Sequence, residues 1–254
     1  MKKLTVYQHE KNKYISESNI LHAFPFINEK GHVISLVGGG GKTSLMTAFA
    51  EQYAMLGMRT LVTTTTHIGI PEDGSYVTTL SEMEMRWEDG KYATTGHREN
   101  EHKLSMLPKE ELKRYMELAD VTLIEADGAK RLPCKVPRDR EPVILPECDI
   151  VVGVRGLDTL GKTCEEVCFC LDEVEALLGK KRSEIMTMED MVKILTSEKG
   201  TKKGVGERQY YIVLNKCDVI NIFEDGDKLL KELEKCGEMR GRLTTLQEGA
   251  HVER

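Results

Sequence analysis

The chain has one tryptophan, 6% aromatic residues and seven prolines in 254 residues, so neither an aromatic-rich binding surface nor a proline-rich linker organises it. It lacks an excess of positive charge. Thirty-six Lys and Arg face 42 Asp and Glu, for a net charge of −6, which argues against nucleic acid as a partner. No apolar run approaches the ~18–20 residues of a membrane span, and the N-terminus has no signal-peptide core. A cytoplasmic protein with no membrane span is therefore expected. The seven cysteines are an odd number in a chain without an export signal, which points to reduced thiols. Cys164, Cys168 and Cys170 have the spacing C-x3-C-x-C with no histidine nearby, which is not a zinc pattern. They read as small buried residues. A soft ligand role in metal, sulfur or selenium chemistry is the alternative, and no role is assigned to them.

The stretch Val33 to Ser44 carries the strongest signal. Apolar Val33–Val37 precedes four glycines, Gly38, Gly39, Gly40 and Gly41, then Lys42, Thr43 and Ser44, and an amphipathic run to Leu56 follows. Strand, tight loop and helix are the context of a phosphate-binding P-loop. Glycines bring backbone N–H groups close to phosphate oxygens, and the helix adds its positive dipole end. Lys42 would reach the β- and γ-phosphates, and Thr43 would ligate Mg²⁺. In G-x-x-x-x-G-K-[ST] the first glycine falls on Leu36, so the spacing fits the deviant form x-[K]-G-G-x-G-K-[TS], with Val37 where a second lysine often stands.

Thr60–His67 is β-branched and reads as a second strand, completing a βαβ unit over 31–67. Thr65, Thr66 and His67 would then lie at the carboxyl edge of the sheet. Residues 68–107 read as an insertion with a small hairpin built from Tyr76–Thr79 and Lys91–Thr95, packed down by Trp87. Helices are expected over Ser16–Phe24, Lys109–Ala119 after Pro108, Leu171–Leu178, Thr187–Leu195 and Asp225–Cys236, with a last strand at Leu243–Leu246. Lys199–Glu207 reads as a solvated flexible loop.

Val121–Gly128 is the second stretch. An apolar strand emerges into Glu125 and Asp127, two residues apart and so on one strand face. Such a pair is costly without a cation between them, and beside a P-loop that cation is Mg²⁺, held with Thr43. One carboxylate would hold the metal's waters and the other orient an attacking water. Glu125-Ala-Asp-Gly128 also has the E-x-x-G shape, whose glycine N–H would sense a γ-phosphate. Lys130, Arg131, Lys135, Arg138 and Arg140 follow in a proline-rich loop suited to gripping an anion, with Lys130 and Arg131 nearest the strand end. Asp149–Arg155 reads as another buried strand that brings Arg155 and Asp158 to the same edge. The third stretch is Tyr210–Asp218, an apolar strand ending in Asn215-Lys216-Cys217-Asp218. In GTPases an Asn-Lys-x-Asp strand end reads guanine: the Asp accepts from N1–H and N2–H, the Asn contacts the other edge, and the Lys stem packs along the ring.

P-loop, E-x-x-G and N-K-x-D in that order resemble the SIMIBI class of P-loop NTPases, whose nickel-insertion GTPases also use a glutamate in the third element. A closer resemblance rests on Val37–Ser44, Thr63–His67, Glu125–Pro133, Lys135–Pro137, Glu141-Pro142, Val152–Val154 and Leu214–Lys216. Together these resemble the YqeC family, accessory proteins of selenium-dependent molybdenum hydroxylases. Asp127-Gly-Ala-Lys-Arg-Leu-Pro133 is the most specific of these stretches. The resemblance implies an assisting role in hydroxylase maturation, with the hydroxylase or its cofactor machinery as partner. The expectation is one α/β domain over 1–254, a three-layer sandwich with a mainly parallel sheet of P-loop NTPase type. It would be a Mg²⁺-dependent hydrolase of GTP or ATP, with GTP favoured. The rival readings are a P-loop phosphotransferase gripping a small acceptor with Lys130, Arg131 and Arg138, and a non-catalytic cofactor chaperone that binds nucleotide.

Overall fold

Buried β-branched and aliphatic runs build the sheet that frames everything else. The computed structural model describes residues 2–10, 13–17, 20–218 and 222–248. The main sheet has nine strands: β1 (Lys2–Glu10), β2 (Lys13–Glu17), β3 (Val33–Gly38), β4 (Thr60–Thr64), β5 (Ala93–Thr94), β6 (Val121–Glu125), β7 (Ile150–Gly156), β8 (Gln209–Asn215) and β9 (Gly241–Glu248). Their order is β2-β1-β9-β8-β7-β3-β6-β4-β5. From β9 to β5 every neighbouring pair is parallel, and β1 and β2 add antiparallel strands at the β9 side.

The helices that matter here are α1 (Lys42–Met55), α2 (Leu80–Glu88), α3 (Lys109–Leu118), α4 (Leu171–Leu178), α5 (Met188–Thr196) and α6 (Ile222–Lys235). Alternation along β8 distributes them. Tyr211 and Val213 join the core under α1 with Ile34, Leu36, Leu45 and Phe49. Tyr210, Ile212 and Leu214 point the other way, into a core with Met191 and Leu195 of α5 and Leu229 and Leu233 of α6. With both faces covered, all seven residues of β7 are buried, which is why that strand is almost uninterrupted by polar side chains. The fold is thus α/β, with helices on both faces of a large, mostly parallel sheet.

Several expectations differ from the structure. Of the expected helix Ser16–Phe24, only Ile20–Ala23 is helical. Ser16 and Glu17 belong to β2, and Ser18 and Asn19 lie outside the described residues. The insertion after β4 carries α2, and Ala93–Thr94 pairs with β4 as a parallel edge strand instead of forming a hairpin. A hairpin does exist, but between His97–Arg98 and Lys103–Ser105, with His67–Gly69 as its third strand. Trp87 packs against the core of this region and donates its indole N–H to Thr60 O at 3.0 Å. The segment 199–207 is a series of turns in which Gly200, Thr201 and Val205 are buried, so its lysines do not make it a solvated loop.

The topology places one strand end at a crossing point. β3 lies between β6 and β7, and the chain leaves β3 for β4 on one side while β7 and β8 build outward on the other. In open α/β sheets ligands bind where the order reverses, at the carboxyl ends of the strands. Helix α1, which starts there, is anchored by Phe49, whose ring stands 4.9 Å from Phe24 and 5.7 Å from Phe26. Phe49→Ala is expected to cost about 3–5 kcal/mol in urea unfolding. A loss below about 1 kcal/mol would show that α1 is not held by this cluster.

Candidate functional site

Four glycines turn the chain from β3 into α1. Gly38, Gly40 and Gly41 have φ of 94°, 88° and 117°, the left-handed region. The loop is also packed too closely for side chains: a Cβ on Gly40 would lie 2.1 Å from Gly156 N, and one on Gly39 would lie 2.7 Å from Leu132 O. Two strand ends and one strap, Leu132–Lys135, grip it. Gly39 N donates to Val154 O at 2.9 Å, Gly40 N to Leu132 O at 3.1 Å, and Asn215 Nδ2 to Gly40 O at 2.8 Å. Gly38 N donates to both Asp127 carboxylate oxygens at 3.1 Å. The N–H groups of Gly38 to Gly40 therefore already have protein acceptors. The donors left for an anion are those of the first turn of α1, whose cap, Gly41, makes no side-chain hydrogen bond.

A compact charge cluster sits directly beneath. Lys42, 4% exposed, donates from Nζ to Gly38 O at 2.5 Å and stands 3.0 Å from Asp127 Oδ1 and 3.9 Å from Glu125 Oε1. Thr43 Oγ1 donates to Glu125 Oε2 at 2.8 Å. Lys135, fully buried, donates to Gly128 O at 2.6 Å and pairs with Glu141 at 2.7 Å and Asp127 Oδ2 at 3.7 Å. Burial pushes the Glu125 carboxyl above the ordinary glutamate range, against the pull of Lys42 and of the Thr43 hydroxyl.

The structure thus brings together Gly38 to Thr43, Glu125, Asp127 and Gly128. Ser44 follows in the first turn of α1. Lys130 and Arg131 do not join the carboxylates. Both are exposed with positive φ, and Lys130 lies over the Phe169 ring at 5.1 Å. Lys135 takes the inward position, five residues further along the same basic loop, because the loop turns back at Leu132–Pro133 to pack on Gly39 and Gly156. Thr65 donates to Val143 O at 2.7 Å and His67 pairs with Glu99 at 3.0 Å, both away from the cluster, while Thr66 is half-buried beside Thr64. Arg155 turns under the strap, where it donates to Lys135 O and Thr201 Oγ1.

At the end of β8, Asn215 is 3% exposed and accepts from Thr244 Oγ1 at 3.1 Å while bracing Gly40. It holds the loop from behind. Lys216 pairs with Asp158 at 2.7 Å, and the exposed Asp218 accepts from Thr245. Lys135 and Asn215 are the two residues whose parts sequence reading did not anticipate. The only sequence signal for Lys135 was its place between two prolines of a basic segment.

Thr43 Oγ1, Glu125 and Asp127 offer hard oxygen donors at the end of a helix, a set that suits Mg²⁺ with further oxygens from phosphate and water. Among the described residues no group of three or more His, Cys, Asp or Glu forms a metal cage by itself. Glu125 also gives the site a pH signature. Its folded-state value lies above 4.5, so the native chain holds this proton more tightly than the unfolded chain. Its contribution to stability is present below 4.5 and is lost as pH rises through the folded value. Glu125→Gln is therefore expected to flatten the decline in melting temperature on going from pH 4.5 to pH 8. An unchanged decline in the variant would assign it to another group.

No helix among the described residues is long and apolar enough to cross a membrane. The comparisons with known proteins fall on the stretch that builds the site. The family model for the YqeC protein matches residues 34–172, from β3 through the glycine-rich loop, Glu125, Asp127 and the strap to the start of α4. The "Uncharacterized protein YqeC" of Escherichia coli (strain K12) is 30% identical over 181 residues, covering 68% of this chain and 71% of that protein. Both matches span more than half of the chain, and the chain belongs to the YqeC family.

Proposed function

We propose that the chain is a Mg²⁺-dependent nucleotide-binding protein of P-loop type, a GTPase that assists maturation of a selenium-dependent molybdenum hydroxylase. The carrying observation is the meeting of Lys42 and Thr43, the first residues of α1, with Asp127 at 3.0 Å and Glu125 at 2.8 Å beside a left-handed glycine loop. Lys42 is the group that would exchange partners. A phosphate taking its ammonium would release Asp127, which keeps Lys135 and the Gly38 N–H as partners. Thr43, Glu125 and Asp127 would hold Mg²⁺, which supplies charge neutralisation to a polyphosphate. The elevated carboxyl of Glu125 suits a proton acceptor for a water at that edge.

The guanine lean rests on the Asn215–Asp218 strand end. Asp218 is exposed, as a base-reading carboxylate must be, and Asn215 ties that strand end to Gly40. The whole of 1–254 would act as one domain, in the cytoplasm. The role in hydroxylase maturation rests on family resemblance alone.

Lys42→Ala and Thr43→Val are each expected to weaken Mg·GTP binding about 10- to 100-fold, the worth of one charge-assisted contact. Titration calorimetry with GTP and ATP reads this directly, and equal, undiminished binding by both variants would sink the proposal. Asp218→Ala should lower the GTP-to-ATP preference. If the ratio is unchanged, the base is read elsewhere or not at all.

A further inference from the structure

The strap that holds the glycine loop carries a buried sulfur cluster. Cys134-Lys135 pairs in parallel with Cys168-Phe169, and Cys134 and Cys168 are direct register partners. Their Sγ atoms are 2.8 Å apart, with the Cys168 thiol donating to Cys134. Neighbouring strands lie about 4.7–4.9 Å apart, within the Cα separation of about 4.4–6.8 Å that a disulfide spans. The thioether of Met186 lies 4.0 Å from Cys168 and 3.4 Å from Cys164.

Arg155 is the second, independent observation. It is fully buried, and its Nε and Nη1 have no hydrogen-bond partner. No salt bridge to a carboxylate balances its charge among the described residues. A buried guanidinium without a counter-ion is costly. The acid beside it is Cys134, whose thiol is held below the ordinary cysteine range by the Cys168 donor and then by the Arg155 charge, despite burial and an opposing push from Asp190. Cys168 is pushed upward and keeps its proton. One nucleophilic sulfur and one protonated neighbour are the two parts of an oxidisable pair.

We propose that Cys134 and Cys168 form a reversible disulfide when the protein meets a small peroxide, a covalent-modification site that fixes the Leu132–Lys135 strap against the glycine-rich loop. In the first step the Cys134 thiolate attacks a peroxide oxygen. An S–O bond forms, the O–O bond breaks, and the leaving hydroxide takes a proton to become water. In the second step the Cys168 sulfur gives up its proton and attacks Cys134. The S–S bond forms, the S–O bond breaks, and hydroxide leaves with that proton as a second water. Two thiols and one hydrogen peroxide give one disulfide and two waters. Cys134 and Cys168 are 0% and 3% exposed, so the reaction takes a small uncharged oxidant such as hydrogen peroxide and a local opening of the strap to admit it.

The connection to the loop is short. Leu132 O accepts from Gly40, Pro133 O accepts from Gly156, and Lys135 reaches Asp127. Cys134 sits between them. The pairing chemistry stands independently of the nucleotide reading.

The test uses the full chain in a Cys236→Ser background, which removes the exposed thiol. After hydrogen peroxide and alkylation, peptide mass spectrometry is expected to find a Cys134–Cys168 cross-link, reversed by dithiothreitol and absent in Cys134→Ser and Cys168→Ser. In Cys168→Ser, Cys134 should instead be trapped by dimedone as sulfenic acid. Amide hydrogen exchange at Gly40 and Gly156 should slow severalfold in the oxidised protein. A cross-link through Cys164, or two thiols still open to alkylation, overturns the pairing. A cross-link with unchanged exchange at both glycines overturns the link to the loop. No readout requires nucleotide, so failure here and failure of the proposed function are separable.

Discussion

The ammonium of Lys42 holds the centre of this structure. Buried carboxylates are tolerated only with cations and donors around them, and Asp127 and Glu125 are both buried at the end of the central strands. Lys42 reaches back across the glycine loop to Asp127 and to the Gly38 carbonyl, so the loop, the helix and the neighbouring strand β6 are tied at one point. Lys135 approaches the same carboxylate from the strap. Gly38 N also donates to Asp127, so the charge balance and the first N–H of the glycine loop share one carboxylate.

This arrangement explains an unusual division of labour in the loop. A glycine-rich turn is usually pictured with its amides open to a ligand. Here three successive amides are engaged by Asp127, Val154 and Leu132, and the anion-binding capacity lies in the uncapped first turn of α1. The close packing of Gly39 and Gly40 against backbone explains why side chains are excluded at both positions, with or without a ligand.

Local signals were legible in the sequence. Alternation and β-branching placed the central strands, and Leu171–Leu178 matches the observed helix at both ends. Thr187, where helix α5 was expected to start, caps it through a capping box with Asp190. Gly38 to Thr43 and the Glu125/Asp127 pair meet as their spacing suggests. What was not legible depends on partners far along the chain. β1 forms because residues 243–248 are there to pair with it, and nothing in its own residues announces that. Lys135 was one of five cations in a polar loop until the turn at Leu132–Pro133 drove it inward. Arg155 lies near the carboxyl end of an apolar strand, where an exposed residue is expected, and only the turns near Thr201 show that it is roofed over.

Gly40 is gripped on both sides of its backbone: its N–H by Leu132 and its carbonyl by Asn215. Its two peptide planes therefore have little freedom to rotate. The entropy of ordering this loop is lost when the chain folds and not when something binds to it, so binding at the α1 end carries little ordering penalty. The same rigidity makes the loop a poor adapter. Any conformational message that passes through Gly40 must start at Leu132 or at Asn215, the two handles on its backbone.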